Sequence, residues 1–272
     1  MNPAHYFIAI NPLGLTGAAA IRYVRDVREH LTWIHRTVSG RILLNCIRRP
    51  SFPIEIRPHP TAECNAVGGA EQKVAGAAWS GVVTYTPFAF SAHGSCALLP
   101  AGQTFGRLWD EILFHELVHV FRNATGRWNT APALSFGMRQ YDDNEEFIAV
   151  LCSNIYVSDR SNRIKSGLRA GHADFSAMAP ADAARFGLFM SSKAAFGLVK
   201  QFCTDNPIFT KALSDKLADV EYNPIADYYR YPKLCEALSM IGDLKDRARM
   251  IDALVAMRIP RAVAAQLIMG IP

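Results

Sequence analysis

Residues 114–119 read FHELVH and contain the spacing His-Glu-x-x-His. Four residues of an α-helix turn the chain by about 400°, so His115 and His119 are expected one turn apart on one helix face. Two imidazoles in this arrangement can fill two positions of a tetrahedral Zn²⁺ site. Glu116 would lie beside the metal, where its carboxylate can take a proton from a water molecule that attacks a carbonyl group.

The surroundings of this pattern favour a metal site over two ordinary helical histidines. The segment Thr104–Arg122 is predicted to be an apolar helix that ends near Gly126, and it is rich in Ile, Leu, Val and Phe. A polar His-Glu-His face within such a helix is costly to bury unless it has a purpose. The sequence therefore predicts one bound Zn²⁺ ion.

A catalytic zinc site needs a third protein ligand and one open position. Thr125 stands where a third His would follow the second by six residues, so that ligand pattern is excluded. Residues 142–146 read DDNEE and predict a second helix with carboxylates at its start. Glu146 is favoured as the ligand because the small Ala149 follows it by three residues, where two helices would approach closely. Glu145 is the alternative, and the residue that is not the ligand would hydrogen-bond a ligand His. Without a metal, these acidic residues would be explained by the favourable interaction of carboxylates with a helix N-terminus.

Composition and charge set the broad class of the protein. The chain has 272 residues, of which 50% are hydrophobic and 19% charged, which excludes an intrinsically disordered chain. The first 60 residues contain eight Arg, no Lys and three acidic residues, which equals the whole net charge of +5. A solvated Arg-rich helix face explains this excess better than attraction to an acidic partner or membrane surface. No nucleic-acid-binding motif is present, so no nucleic-acid partner is expected.

Cysteine usage and hydropathy bear on where the protein works. None of the six Cys forms a CxxC pair, and buried free thiols typical of a reducing compartment are predicted. The uncharged run Tyr6–Ile21 is too short for a membrane span and is broken by Pro and Gly, and it lacks the charged start of a secretory signal. The uncharged run Val74–Gly106 is rich in Gly, Ser, Thr and Pro. No membrane span is therefore expected.

The pattern of apolar and turn-forming residues predicts an α+β fold. A small mixed sheet is expected over the metal-binding helix, followed by a largely helical C-terminal part. Predicted division of the chain is 1–60 (Arg-rich helix and first strands), 61–175 (catalytic core) and 176–272 (helical subdomain packed on the core). The predicted elements are a helix over Thr16–Val38 that stops at Gly40, strands over Arg41–Ile47, Pro53–Arg57 and Gly81–Phe90, a turn at Gly68–Gly69, a helix from Asp142 or Asp143 to Tyr156, and helices over 181–203, 207–219, 232–242, 244–257 and 260–269.

Several pieces of residues 60–175 resemble a known family, the NleD-type zinc metallopeptidases that bacteria deliver as effectors. The resembling pieces are Ser80–Pro87, His115–His119, Asn123–Gly126, Asn144–Val150, Ser153–Tyr156 and Leu168–His172. The resemblance implies a zincin-like core and a zinc-dependent endopeptidase. It further implies release by a non-classical secretion-system route and cleavage of a protein in the cytosol of a host or other target cell.

The same resemblance implies catalytic groups outside the metal shell. In such sites an Arg and a Tyr stabilise the negatively charged oxygen of the tetrahedral intermediate. Tyr156, Arg169 and His172 are the candidates within the resembling segment, and Tyr228–Tyr231 is a further candidate outside it. Ordinary packing or surface polarity is the alternative for each of them.

The expected function is that of a zinc endopeptidase whose partners are a protein or peptide substrate and, for delivery, secretion machinery or a chaperone. The strand Gly81–Phe90 is expected to hydrogen-bond an extended substrate by strand addition. A non-enzymatic protein-binding module on a zincin scaffold and a zinc hydrolase of a non-peptide amide are the alternatives.

Overall fold

A computed structural model describes residues 1–61, 65–72, 78–90, 109–131, 140–160, 168–172, 177–241 and 247–269. Within these ranges the protein combines one small mixed sheet with a larger number of helices. The predicted α+β class is confirmed at this level.

Four short strands form the sheet, in the order β1-β2-β4-β3. The pairs β1/β2 and β2/β4 are parallel, whereas β3 runs antiparallel to β4. The sheet joins strands from both sides of residue 60, and β1 and β3 are its two edges within the described residues. The strands are β1 (Ile8–Ile10), β2 (Ile54–Arg57), β3 (Val67–Glu71) and β4 (Ser80–Thr84).

One sequence prediction about the sheet is wrong, and another is confirmed only in part. Gly68 and Gly69 do not form a turn but lie inside β3. Gly68 packs against the helix that carries His115 and His119, at a point where a side chain would not fit. The strand predicted over Gly81–Phe90 ends at Thr84 and is followed by a 3-10 turn at Pro87–Phe90. The predicted strand at Pro53–Arg57 is confirmed as β2.

The N-terminal helices are α1 (Gly17–Arg36) and α2 (Val38–Ile47), and both pack on the helix that carries His115 and His119. The strand predicted over Arg41–Ile47 is therefore wrong. The hydroxyl oxygen of Thr37 accepts a hydrogen bond from the Gly40 N–H and starts a new helix there. Gly40 does not end the first helix but lies in α2. A glycine is needed there because a Cβ would overlap the Ile34 carbonyl.

Two helices in the middle of the chain bring the predicted metal ligands together. Helix α3 (Trp109–Ala124) lies between the sheet and α4 (Asn144–Arg160), and nearly all of its side chains are buried. Both helices are predicted from the sequence, although the predicted start of the first at Thr104 lies outside the described residues. Helix α4 extends one turn beyond the predicted end at Tyr156.

The C-terminal part is helical, as predicted, but its helices are shorter and more numerous. The segment predicted as one helix over 181–203 is broken near Phe186 and Ser192, and Phe186 has a positive φ of 65°. Contacts such as Phe121 on Phe209, with ring centroids 4.8 Å apart, join this part to α3. The helices are α5 (Pro180–Ala183), α6 (Gly187–Ser191), α7 (Lys193–Asp205), α8 (Pro207–Lys216), α9 (Pro224–Arg230), α10 (Pro232–Ile241), α11 (Arg247–Ala256) and α12 (Arg261–Met269).

Two findings concern the membrane and redox predictions. Across the described ranges, no helix combines the length and the apolar character that a membrane crossing requires. Four cysteines are free thiols, of which Cys152, Cys203 and Cys235 are buried and Cys46 is half-buried. Cys64 and Cys96 lie outside the described residues.

Candidate metal centre

Three ligand atoms from α3 and α4 converge on one point. His115 Nε2 lies 3.1 Å from Glu146 Oε2, and His119 Nε2 lies 3.4 Å from Glu146 Oε1. The two Nε2 atoms are 3.1 Å apart. Among the residues that the structure describes, His115, His119 and Glu146 are the one group of His, Cys, Asp and Glu side chains that could hold a metal ion.

The spacing and chemistry of these atoms fit a tetrahedral cation site. Ligands about 2.0–2.1 Å from a zinc ion at tetrahedral angles lie about 3.3 Å from one another, which is close to the observed separations. Two imidazole nitrogens and a carboxylate oxygen also form a donor set that zinc prefers. Without a cation, one of the two Nε2 atoms, which are 3.1 Å apart, must carry a proton, whereas a shared cation lets both imidazoles present their lone pairs.

The electrostatics favour the same conclusion. Burial lowers the pKa of His115 to about 3, so its imidazole is neutral and able to bind a metal. Burial alone would raise the pKa of Glu146, but its contacts with the two imidazoles outweigh burial and hold this pKa well below the usual range. Burial would lower the pKa of His119, yet the neighbouring Glu146 and Glu116 raise it overall. The group therefore attracts positive charge.

A second layer of contacts orients His115 but leaves His119 to an aromatic neighbour. The Ser153 hydroxyl donates to the Ala149 carbonyl at 2.8 Å, so its oxygen can accept from His115 Nδ1–H at 3.5 Å. This contact directs the Nε2 lone pair of His115 towards the ligand group. No described group lies within hydrogen-bond distance of His119 Nδ1, and the Trp128 ring packs edge-on against His119 with centroids 5.3 Å apart.

Glu116 lies beside the ligand group beneath strand β3. Its carboxylate accepts a hydrogen bond from the Gly68 N–H, and burial raises its pKa to about 7. A Cβ on Gly68 would overlap the Glu116 carbonyl, so only glycine lets β3 approach α3 this closely. A carboxylate with a pKa near neutrality is suited to taking and returning a proton.

The structure separates the two candidate carboxylates on α4. Glu146 belongs to the ligand group, whereas Glu145 points away and pairs with Arg122, with Nε and Oε1 2.6 Å apart. Glu145 also accepts the Asn129 N–H at 2.8 Å. It therefore ties the loop after α3 to α4, and it does not hydrogen-bond a ligand His as the sequence argument expected of the second carboxylate.

His172 and Arg169 are brought to the same side of α4. His172 Nε2 lies 3.4 Å from Glu146 Oε2, its ring is parallel to that of His115, and its Nδ1 contacts Asp142 Oδ2 at 2.6 Å. Arg169 is buried, and its charge partly offsets the rise that burial causes in the pKa of Glu116. His172 therefore contacts the ligand group directly, and Arg169 is near enough for its charge to act on Glu116.

Asn154 of α4 fixes the backbone of this segment. Its side-chain amide donates to the Arg169 carbonyl, and its oxygen accepts the Arg169 N–H.

Tyr156 and the C-terminal tyrosines are placed elsewhere. The Tyr156 hydroxyl donates to Asp110, its ring stacks on Phe114, and its side chain is fully buried. These contacts hold α3 against α4 and leave no hydroxyl proton for a substrate. The segment Tyr228–Tyr231 belongs to the C-terminal helices, where the Tyr229 hydroxyl contacts the Thr210 hydroxyl at 3.0 Å.

Three residues near the site were not predicted from the sequence. Gly68 contacts Glu116, and Trp128 contacts His119. Arg122 forms an ion pair with Glu145. The sequence contained a signal for two of them: Arg122 follows His119 by about one helical turn, and Gly68 belongs to a Gly-Gly pair. Trp128 offered none beyond its place in the loop between the two ligand-bearing helices.

No known family model, no curated protein and no solved structure matches this chain. The function is therefore argued from the site itself.

Proposed function

We propose that the chain is a zinc-dependent endopeptidase with a zincin-like core. The observation that carries the proposal is the convergence of His115, His119 and Glu146 with the buried carboxylate of Glu116 beside them. Two imidazoles and one carboxylate leave a fourth tetrahedral position for a water molecule or a substrate carbonyl.

The protein groups have separate tasks in this proposal. A Zn²⁺ ion held by the three ligands would act as a Lewis acid and make water more acidic. Glu116 takes the proton of the attacking water and returns it to the nitrogen of the leaving amine. Arg169 and His172 stabilise the negative charge that develops on the carbonyl oxygen.

The sheet supports an extended peptide as the substrate. Strand β4 has hydrogen-bonded neighbours on both sides, so it cannot add a substrate strand as the sequence argument expected. Strands β1 and β3 are the two edges of the described sheet, and β3 is the edge that lies next to Glu116, whose carboxylate accepts the Gly68 N–H. Alternate residues of such an edge direct their backbone groups outward, where an extended chain can pair with them.

The proposal includes delivery of the enzyme as a bacterial effector or toxin that acts in the cytosol of a target cell. Four free thiols, three of them buried, are compatible with a reducing compartment. Delivery machinery or a chaperone, and a target-cell protein as substrate, are part of the same proposal.

Zinc content and a substrate comparison test the proposal. The purified protein is expected to contain one equivalent of zinc by atomic absorption, as is Glu116→Gln, whereas His119→Ala loses it. In target-cell lysate, terminal-peptide proteomics is expected to find new protein termini with the wild type and none with Glu116→Gln. A protein that takes up no zinc would contradict the metal site, and full proteolysis by zinc-loaded Glu116→Gln would contradict the assigned base.

A further inference from the structure

The loop after α3 holds an indole ring against one metal ligand. The Gly126 backbone adopts a φ of 67°, and the Arg127 N–H donates to the Arg122 carbonyl at 2.9 Å, so the chain turns back directly after α3. Trp128 follows this turn, with its ring edge-on against His119.

A buried ion pair fixes the other side of this loop. The Asn129 N–H donates to Glu145 Oε2, and Glu145 is held by Arg122 through two contacts of 2.6 Å and 3.3 Å. Asn129 in turn accepts the Ala131 N–H through its side-chain oxygen at 3.0 Å. Trp128 is therefore tied on both sides, and Glu145 is a positioning residue that acts through it.

Part of Trp128 is exposed to solvent and open to contact with a bound molecule. Trp128 as a whole is 41% exposed although its ring touches a buried ligand residue. The part of the ligand group next to His115 is polar, since the His172 ring stacks on His115 and contacts Asp142. The candidate metal centre thus has one aromatic flank and one polar flank.

We propose that Trp128 forms the wall of a subsite that selects a large apolar or aromatic side chain next to the scissile bond. This inference rests on the proposed function, because the subsite is defined by its position beside the metal. An indole surface held in place buries an apolar side chain at little entropic cost, and aromatic pairs gain additional attraction. Trp128 is then a specificity-determining residue.

Amino-acid hydroxamates test the subsite because their metal-binding group anchors a chosen side chain beside the zinc ion. Zinc-loaded protein would be titrated by calorimetry with glycine, leucine, phenylalanine and lysine hydroxamates. The wild type is expected to bind the leucine and phenylalanine compounds about tenfold more tightly than the glycine compound. Trp128→Ala is expected to reduce this ratio to less than about threefold, and Trp128→Phe to keep most of it.

The controls separate this inference from the proposed function. Trp33→Ala removes a comparably exposed indole on α1 and is expected to leave the ratio unchanged. An unchanged ratio in zinc-loaded Trp128→Ala, or a preference for the lysine compound, would overturn the subsite while leaving the metal site intact. Failure of both zinc and glycine hydroxamate to bind the wild type would overturn the proposed function and the subsite with it.

Discussion

At the scale of single residues, two adjacent carboxylates on α4 have opposite surroundings. Glu146 faces two imidazoles, whereas Glu145 is fully buried against a guanidinium. The sequence favoured Glu146 through Ala149, which is fully buried in α4. The ion pair of Glu145 was beyond sequence reasoning, because Arg122 is 23 residues away along the chain.

Zinc affinity distinguishes the two carboxylates. Glu146→Gln is expected to weaken zinc binding more than about a hundredfold because it removes a charged ligand, whereas Glu145→Gln is expected to weaken it less than about tenfold. Competition with a zinc chelator on the folded variants measures both affinities. Equal losses in the two variants would contradict the assignment of Glu146.

Glu111, on the buried side of α3, makes the stability of the protein depend on pH. Its pKa is raised to about 7 because burial penalises the charged carboxylate, although Arg169 partly opposes this effect. The folded protein thus binds more protons than the unfolded chain between pH 4.5 and 7, so this residue's contribution to stability is complete below pH 4.5 and is lost as the pH rises to 7.

Glu111→Gln is expected to remove this dependence. Its free energy of unfolding should fall less than that of the wild type between pH 4.5 and 7, by roughly 1–3 kcal/mol. Urea unfolding at several pH values measures the difference. Parallel pH profiles for the two proteins would show that Glu111 does not titrate in this range.

At the scale of elements, local signals predicted α3 and α4 but failed for α2 and β3. The apolar periodicity of a helix that carries HExxH is contained in one short stretch of sequence. In contrast, Gly68 is part of a strand because β3 lies on Glu116, a contact across 48 positions that no local pattern contains. Gly40 likewise marks a close approach to Ile34 and not the end of a helix.

Two neighbouring glycines in β3 provide a matched test of this packing. A Cβ at Gly68 would overlap the Glu116 carbonyl, whereas nothing lies within 4 Å of one at Gly69. Gly68→Ala is expected to destabilise the protein by about 1–3 kcal/mol and to reduce peptide hydrolysis, since β3 must move away from Glu116. Gly69→Ala is expected to have little effect on either. Thermal unfolding and activity assays compare them, and equal behaviour would contradict the close contact.

The ion pair between α3 and α4 makes a further prediction. Glu145→Gln leaves the buried guanidinium of Arg122 without its charged partner and is expected to cost about 3–5 kcal/mol. The double variant Arg122→Met with Glu145→Gln is expected to recover part of this loss. Denaturant unfolding of both single variants and the double variant gives the coupling energy. A coupling energy near zero would show that the pair contributes no stability.

At the scale of the whole molecule, the sheet packs on α3, whereas the C-terminal helices pack mainly on its neighbours α2 and α4. Strands from both sides of residue 60 pair in one sheet, and α8 packs on α2 while α7 packs on α4. The Tyr222 N–H also donates to the Ser158 hydroxyl oxygen at 3.1 Å. These contacts indicate that the helical part supports the ligand-bearing helices, which composition alone could not establish.

Unfolding measured with two probes tests whether the C-terminal helices and the site form one cooperative unit. All four Trp residues precede residue 176, so Trp fluorescence reports only on the sheet, α1 and the surroundings of α3, whereas far-UV circular dichroism also reports on the C-terminal helices. Phe209 packs on Phe121 of α3, and Phe209→Ala is expected to destabilise the protein by about 3–5 kcal/mol. If the molecule unfolds as one unit, both probes shift to lower denaturant concentration together.

The neighbouring Ile208 is 83% exposed and provides the control, because Ile208→Ala is expected to change the stability by less than about 0.5 kcal/mol. If Phe209→Ala shifts the dichroism transition and leaves the fluorescence midpoint in place, the C-terminal helices unfold independently. The metal centre would then not depend on them for its stability. A joint shift instead means that burial of Phe121 and its neighbours by the C-terminal helices is part of what holds His115 and His119 in position.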